Sequence, residues 1–138
     1  MAGVRVSRGS AVPNAGARAE ALVGDRLVAA GWTILGRNVR IGRRELDLVA
    51  VDPGPPAMLV VVEVRWRRTR GHGLPEETLD RAKRTRLHEG LLRLLDVGSV
   101  GDGRPLPRLP ARIDLVVVEP PAGGGPGPPR VRHHRSAF

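Results

Sequence analysis

The chain has 138 residues, ordinary for one domain, and 41% of them are hydrophobic, which is enough for a core. Aromatics make up only 2% (Trp32, Trp66 and Phe138), so that core must be aliphatic, and the absence of cysteine excludes disulfides and cysteine-ligated zinc. A net charge of +9 with a sequence pI of about 11.7 favours a polyanionic partner, most simply nucleic acid, while no apolar run reaches membrane-spanning length.

Residues 1–15 are small, polar and basic without a period, which predicts a flexible arm. From Ala17 to Ala30 the residues Ala19, Val23, Leu27 and Ala30 recur as one helical stripe, and Gly31 supplies the stop. Glu20 lies at the edge of that stripe, where a carboxylate is ordinarily just solvated. Trp32-Thr-Ile-Leu35 opens a first strand, expected over 32–38, and Ile41-Gly-Arg-Arg44 makes a tight connection to the next.

Two acid-bearing strands follow, expected over 44–52 and 58–67. In the first, alternation places Glu45, Asp47, Val49 and Val51 on one face and Leu46, Leu48 and Ala50 on the other. In the second, Glu63 and Arg65 share a face, opposite Val62, Val64 and Trp66. Asp52-Pro-Gly-Pro-Pro-Ala57 between them is dense in turn formers and predicts a hairpin with an irregular loop. Asp47 and the Glu63/Arg65 pair then lie side by side in one sheet, with their relative face left open by the unknown register. A strand-edge ion pair accounts for an isolated Glu-x-Arg. Two acids and a base on neighbouring aliphatic strands also suit a divalent cation with oxygen ligands, of the Mg²⁺ kind.

Beyond the strands, Arg67-Arg-Thr-Arg70 opens a basic loop, so Arg67, Arg68 and Arg70 are candidates for phosphate contacts. Pro75, Glu76 and Glu77 mark a helix start, and a second helix is expected to run to residue 96 with Leu79, Leu87, Leu91 and Leu94 inward. Lys83, the chain's single lysine, falls beside that apolar face, where snorkelling is the ordinary explanation. Arg112-Ile-Asp-Leu-Val-Val-Val-Glu119 is a further strand (expected 111–119), whose Asp114 reads as structural because nothing in its own strand is expected to partner it. Residues 120–138 collapse to Pro, Gly, Arg and His and predict a disordered tail, with His133-His134 solvated.

Taken together, Ala19-Glu20, Gly36-Arg-Asn-Val-Arg40, Glu45-Leu-Asp-Leu-Val-Ala50, Glu63-Val-Arg65, Lys83 and Ile113-Asp-Leu-Val116 resemble, in that order, the YraN-like proteins, uncharacterised protein family 0102. That family looks like a branch of the restriction-endonuclease-like, PD-(D/E)xK nuclease superfamily and is similar in layout to Holliday-junction resolvases. The resemblance implies that Asp47 and Glu63 are metal-binding acids, that Glu20 completes the metal site, and that Arg65 and Lys83 are the basic catalytic positions. The pattern departs at Ala19 and Arg44, where the family usually has glycine, and at Arg65, where the superfamily has lysine. Arginine stays protonated and cannot serve as a general base.

These readings predict an α/β, restriction-endonuclease-like core over residues 16–119: a mixed four-stranded sheet with flanking helices in the order αβββαβ. The expected activity is Mg²⁺- or Mn²⁺-dependent hydrolysis of DNA phosphodiesters, with a non-catalytic nucleic-acid-binding protein as the alternative. Scarce aromatics argue against recognition of single strands by base stacking, so duplex or branched DNA is the expected partner. A homodimer is compatible with this reading. Without a signal-peptide h-region, a cytoplasmic location is expected.

Overall fold

The computed structural model describes residues 14–67 and 81–138. Its elements follow in the order α1 (Ala15–Ala29), β1 (Thr33–Ile41), β2 (Arg44–Asp52), β3 (Met58–Trp66), α2 (Arg81–Val97), β4 (Ala111–Glu119) and β5 (Arg130–His134). Asn14 caps α1, its side chain accepting from the Ala17 N–H at 2.7 Å, and Gly31 follows the helix at a φ of 95° that favours glycine. β1 and β2 are joined through Gly42-Arg43, with Gly42 at φ 62°. The five strands form one sheet in the order β1-β2-β3-β4-β5. Only the β3–β4 pairing is parallel, as the long crossover through α2 allows. Among the described residues no helix is long and apolar enough to cross a membrane.

The expected α/β class and mixed sheet are present, and the core is indeed aliphatic. Ala19, Val23 and Leu27 of α1 pack with Trp32, Leu48, Ala50, Val60, Val62, Val116 and Val118 on one face of the sheet. Leu87, Leu91 and Leu94 of α2 pack with Val39, Ile41, Leu46, Val49, Leu59, Val61 and Ile113 on the other. At Gly90 an added Cβ would come within 2.9 Å of Leu46 Cδ2, so a glycine there lets α2 lie close against β2.

The structure corrects three of the expectations. First, the tail is not wholly disordered, because residues 130–134 add a fifth strand antiparallel to β4. Beyond it the Ala137 N–H bonds to the Ile113 carbonyl at 3.0 Å, and Phe138 packs against the α2-side core. Second, Leu46 and Leu48 do not share a face: Leu46 lies under α2 and Leu48 under α1. Strand alternation therefore breaks at Asp47. Third, Asp114 does have a partner in its own strand, Arg112. The expected arm falls mostly outside the described residues, as do Arg68, Arg70 and the start of the second helix.

Candidate functional site

The break at Asp47 coincides with a fork in the sheet. Backbone pairing between β2 and β3 runs from Asp52↔Met58 to Leu48↔Val62 and ends there. Past that point β2 continues along β1 as far as Arg44↔Ile41, while β3 continues along β4 to Trp66↔Val118. Asp47 and Glu63 are the first residues beyond the last rung, one on each prong. The Asp47 carboxylate accepts a hydrogen bond from the Val64 N–H at 2.9 Å, so its side chain takes the place of the missing β2–β3 rung. Across on β1, Asn38 lies between the pairs Arg37↔Leu48 and Val39↔Leu46, at a φ of 48°. A left-handed residue opposite Asp47 is where the face changes, and asparagine tolerates that conformation better than most.

Electrostatics single out the same place. Glu63 is 7% exposed and faces α2, where Lys83 Nζ lies 2.9 Å from its Oε2. Burial, with the Glu63 charge next, pushes the Asp47 carboxyl up to about 7; the Val64 N–H opposes the shift, while Glu20 and a hydrogen bond to Glu63 add to it. Near neutrality the Asp47 carboxyl is therefore only partly ionised. Glu20 is also raised, chiefly by burial, with a hydrogen bond from the Asn38 side chain offsetting part and Glu45 and Glu63 adding repulsion. Acids from α1, β2 and β3 thus sense one another. Among the described residues, however, no three His, Cys, Asp or Glu side chains stand close enough together to hold a metal ion. Glu20 borders the Asp47–Glu63 pair and does not close upon it.

The remaining sequence candidates scatter. Arg65 is partly exposed, the third residue of β3 beyond the last rung and two residues from Glu63. Arg67 is turned inward, its Nη1 3.9 Å from the buried Glu119, with only 12% of its side chain exposed. Arg68 and Arg70 lie outside the described residues.

Sequence reasoning missed a second polar cluster, on the α1 face, which runs from Asp52 at the far end of β2 to Asp114, whose backbone pairs with Val62. Asp114 is wholly buried, yet Arg112 reaches both its oxygens (2.9 and 3.1 Å), His133 Nε2 lies at 2.8 Å and the Ser136 N–H donates at 2.9 Å. Asp52 accepts from the Gly54 N–H at 2.9 Å, Arg112 at 2.8 Å and Arg135 at 3.2 Å. Both guanidinium groups also lie over the Trp32 ring, 5.6 and 5.8 Å from its centroid. Burial alone would raise both carboxyls, but these donors outweigh it and hold Asp52 and Asp114 below the usual aspartate value. The available signal was complementary charge: acids buried in β4 and β2 call for cations, and the Arg/His-rich tail supplies them.

Residues 19–118 match the family described as "Uncharacterised protein family UPF0102". The chain is 39% identical over 123 residues to a UPF0102 protein of Symbiobacterium thermophilum, covering 89% of this chain and 94% of that one. It is 38% identical over 117 residues to a UPF0102 protein of Clavibacter michiganensis, covering 85% and 92% respectively. A UPF0102 protein of Rhodococcus jostii is 38% identical over 124 residues, covering 89% and 94%.

Proposed function

The chain belongs to the uncharacterised protein family UPF0102, and from that premise we propose that it is a metal-dependent endonuclease-like enzyme acting on DNA phosphodiesters. The observation that carries the reading is the Asp47–Glu63 pair at the fork, with the Asp47 carboxyl pushed up to about 7. Two carboxyls forced together at neutral pH form an all-oxygen donor set that a hard divalent cation would relieve of repulsion. Asp47 and Glu63 would hold Mg²⁺ or Mn²⁺, with Glu20 on the border of the site. Such an ion, when bound, lowers the pKa of a water ligand and polarises a phosphoryl oxygen. Arg65 stays protonated, so its part is to set a fixed positive charge against the reacting phosphate. Lys83 holds Glu63 in place at 2.9 Å and brings a second cation to the site.

The experiment is a cleavage assay on linear, nicked, flapped and four-way junction DNA, with and without Mg²⁺ or Mn²⁺. Metal-dependent cutting by the wild type that Glu63→Ala abolishes is the expected result. Equal cutting by both proteins rejects the catalytic assignment.

A second reading, a nucleic-acid-binding protein that keeps the fold without catalysis, draws on a specific observation. Lys83 already occupies Glu63, and no three potential ligands gather among the described residues. This reading expects DNA binding with no cleavage in any metal.

A further inference from the structure

Four arginines stand along the seam between the β1–β2 hairpin and α2. A cleft of about 220 Å³ is lined by Arg43, Arg44, Leu46, Lys83 and Arg86, and a second of about 370 Å³ by Arg43, Arg44, Glu89 and Arg93. Because Arg43 and Arg44 line both, the two form one groove that starts at Lys83, beside the fork, and ends at Arg93. Its acids are already answered: Arg44 in the groove holds Glu89 at 2.7 Å, and Glu45, which also lines the first cleft, is approached from outside it by Arg40 at 3.6 Å. Arg43, Arg86 and Arg93 remain exposed, with no acidic partner among the described residues. Arg86 and Arg93 are seven residues apart with Gly90 between them, so all three lie on one side of α2. Gly90 packs on Leu46, and the Arg93 guanidinium lies 3.7 Å from where a Cβ on Gly42 would stand, so the floor is closed and the basic groups line the rim.

We propose that this groove binds the phosphate backbone of duplex DNA and delivers it to the fork. The inference rests on the nuclease-like reading and names the surface that reading would use. From Lys83 to Arg93 the helix advances about 15 Å, at ~1.5 Å per residue. One strand of a duplex carries a phosphate every ~3.4 Å of axis, so that length spans about four of them. Arginine suits such a track, since its planar fork of donors pairs with phosphate oxygens. Backbone contacts of this kind position the duplex without reading its sequence.

The test measures the salt dependence of duplex DNA binding by fluorescence anisotropy, on three full-length proteins. These are the wild type, the groove variant Arg43→Gln/Arg86→Gln/Arg93→Gln, and the control Arg18→Gln/Arg104→Gln/Arg108→Gln, which removes equal charge elsewhere. Thermal melts check that all three are folded. Each lost phosphate contact flattens the log–log slope by about 0.9, so the groove variant is expected to lose close to 2.7 and to bind at least ~10-fold more weakly at ~0.1 M salt. The control should keep nearly the wild-type slope. Equal losses in both variants, or a wild-type slope in the groove variant, overturn the groove while leaving the nuclease-like reading intact. No duplex binding by the wild type overturns both. Tighter binding to phosphatidylserine vesicles than to duplex, with the same dependence on these arginines, overturns the choice of DNA as the partner.

Discussion

Two pairs of buried or half-buried acids in the sheet are treated in opposite ways, while a further buried acid, Glu119, is met by Arg67 and Arg132. Asp52 and Asp114 are surrounded by Arg112, Arg135, His133 and two backbone N–H groups, and both are held below the usual aspartate value. Asp47 and Glu63 face each other with one backbone N–H and one ammonium between them, and Asp47 is pushed up to about 7. On β2, Asp47 and Asp52 are only five residues apart, about 16 Å along an extended chain at ~3.3 Å per residue. Burial alone therefore does not decide which way a carboxyl's pKa moves; the donors around it do. The saturated pair ties β5 and the C-terminal residues to the sheet. The fork pair is met by fewer donors, and on the proposed reading a bound cation makes up the difference.

The largest expected effect breaks the saturated pair. Asp114→Ala leaves Arg112 without its bidentate partner, and removing one member of a buried ion pair costs about 3–5 kcal/mol. Urea denaturation should show that loss in the wild-type background. Asp47→Asn, by contrast, removes a carboxyl that is ill at ease when ionised, so at pH 8 it should leave stability unchanged or raise it. A loss at Asp47→Asn as large as at Asp114→Ala would erase the distinction between the two clusters.

Next in size is the response to metal. A ligand at a hundred times its dissociation constant stabilises the native state by about 2.7 kcal/mol. Mg²⁺ or Mn²⁺ at saturating concentration should raise the melting temperature of the wild type at pH 8 and leave Glu63→Gln and Asp47→Asn unmoved. A shift of the same size in Glu63→Gln would place the ion elsewhere.

Proton linkage gives the third, smaller contrast. Asp47 titrates near 7 when folded and near its ordinary value of 3.8 when unfolded, so between those pH values the native state binds the extra proton. Its contribution is fully present below about pH 4 and is lost as the pH rises through 7. Asp52 and Asp114 run the other way: their contribution is present above the unfolded aspartate value and is lost on acidification below it. Urea midpoints in the absence of metal should fall between pH 5 and 8 for the wild type, and Asp47→Asn should flatten that fall. An unaltered slope in the variant would mean that Asp47 is not the titrating group.

Which parts were legible follows from the same physics. Aliphatic periodicity located α1, β2, β3 and β4, because burial writes itself into residue type. Strand and helix patterning singled out Asp47, Glu63, Glu20 and Lys83 and the resemblance gave them expected roles; the structure sets Asp47 beside Glu63 and Lys83 on Glu63, with Glu20 close enough to add repulsion. The fork was not legible, since a face change at Asp47 needs Asn38 in a left-handed conformation and no alternation rule anticipates it. Nor was β5: Arg130, Arg132, His133 and His134 leave Val131 as its single aliphatic residue, and its partners are acids and Trp32 in place of a greasy face. A strand held by ion pairs has no hydrophobic period to read.

The smallest expected effect applies one operation to both clusters, removal of the cation. Arg112→Met should be costly, because Asp52 and Asp114 are both buried and both lose their nearest guanidinium. Lys83→Met should cost about 1 kcal/mol or less, the range of a solvent-screened pair, since 31% of the lysine side chain is exposed. There is a second reason for a small loss. Glu63 is already hydrogen-bonded to Asp47, whose carboxyl holds a proton up to about pH 7, so the pair retains a way to share charge once the ammonium is gone. Measured at pH 6, where that proton is present, the two methionine variants should therefore differ by several-fold in lost stability. If Lys83→Met proves as damaging as Arg112→Met, then Lys83 is to Glu63 what Arg112 is to Asp114, a structural counter-ion. The fork would in that case be a second saturated cluster and not a site with capacity to spare.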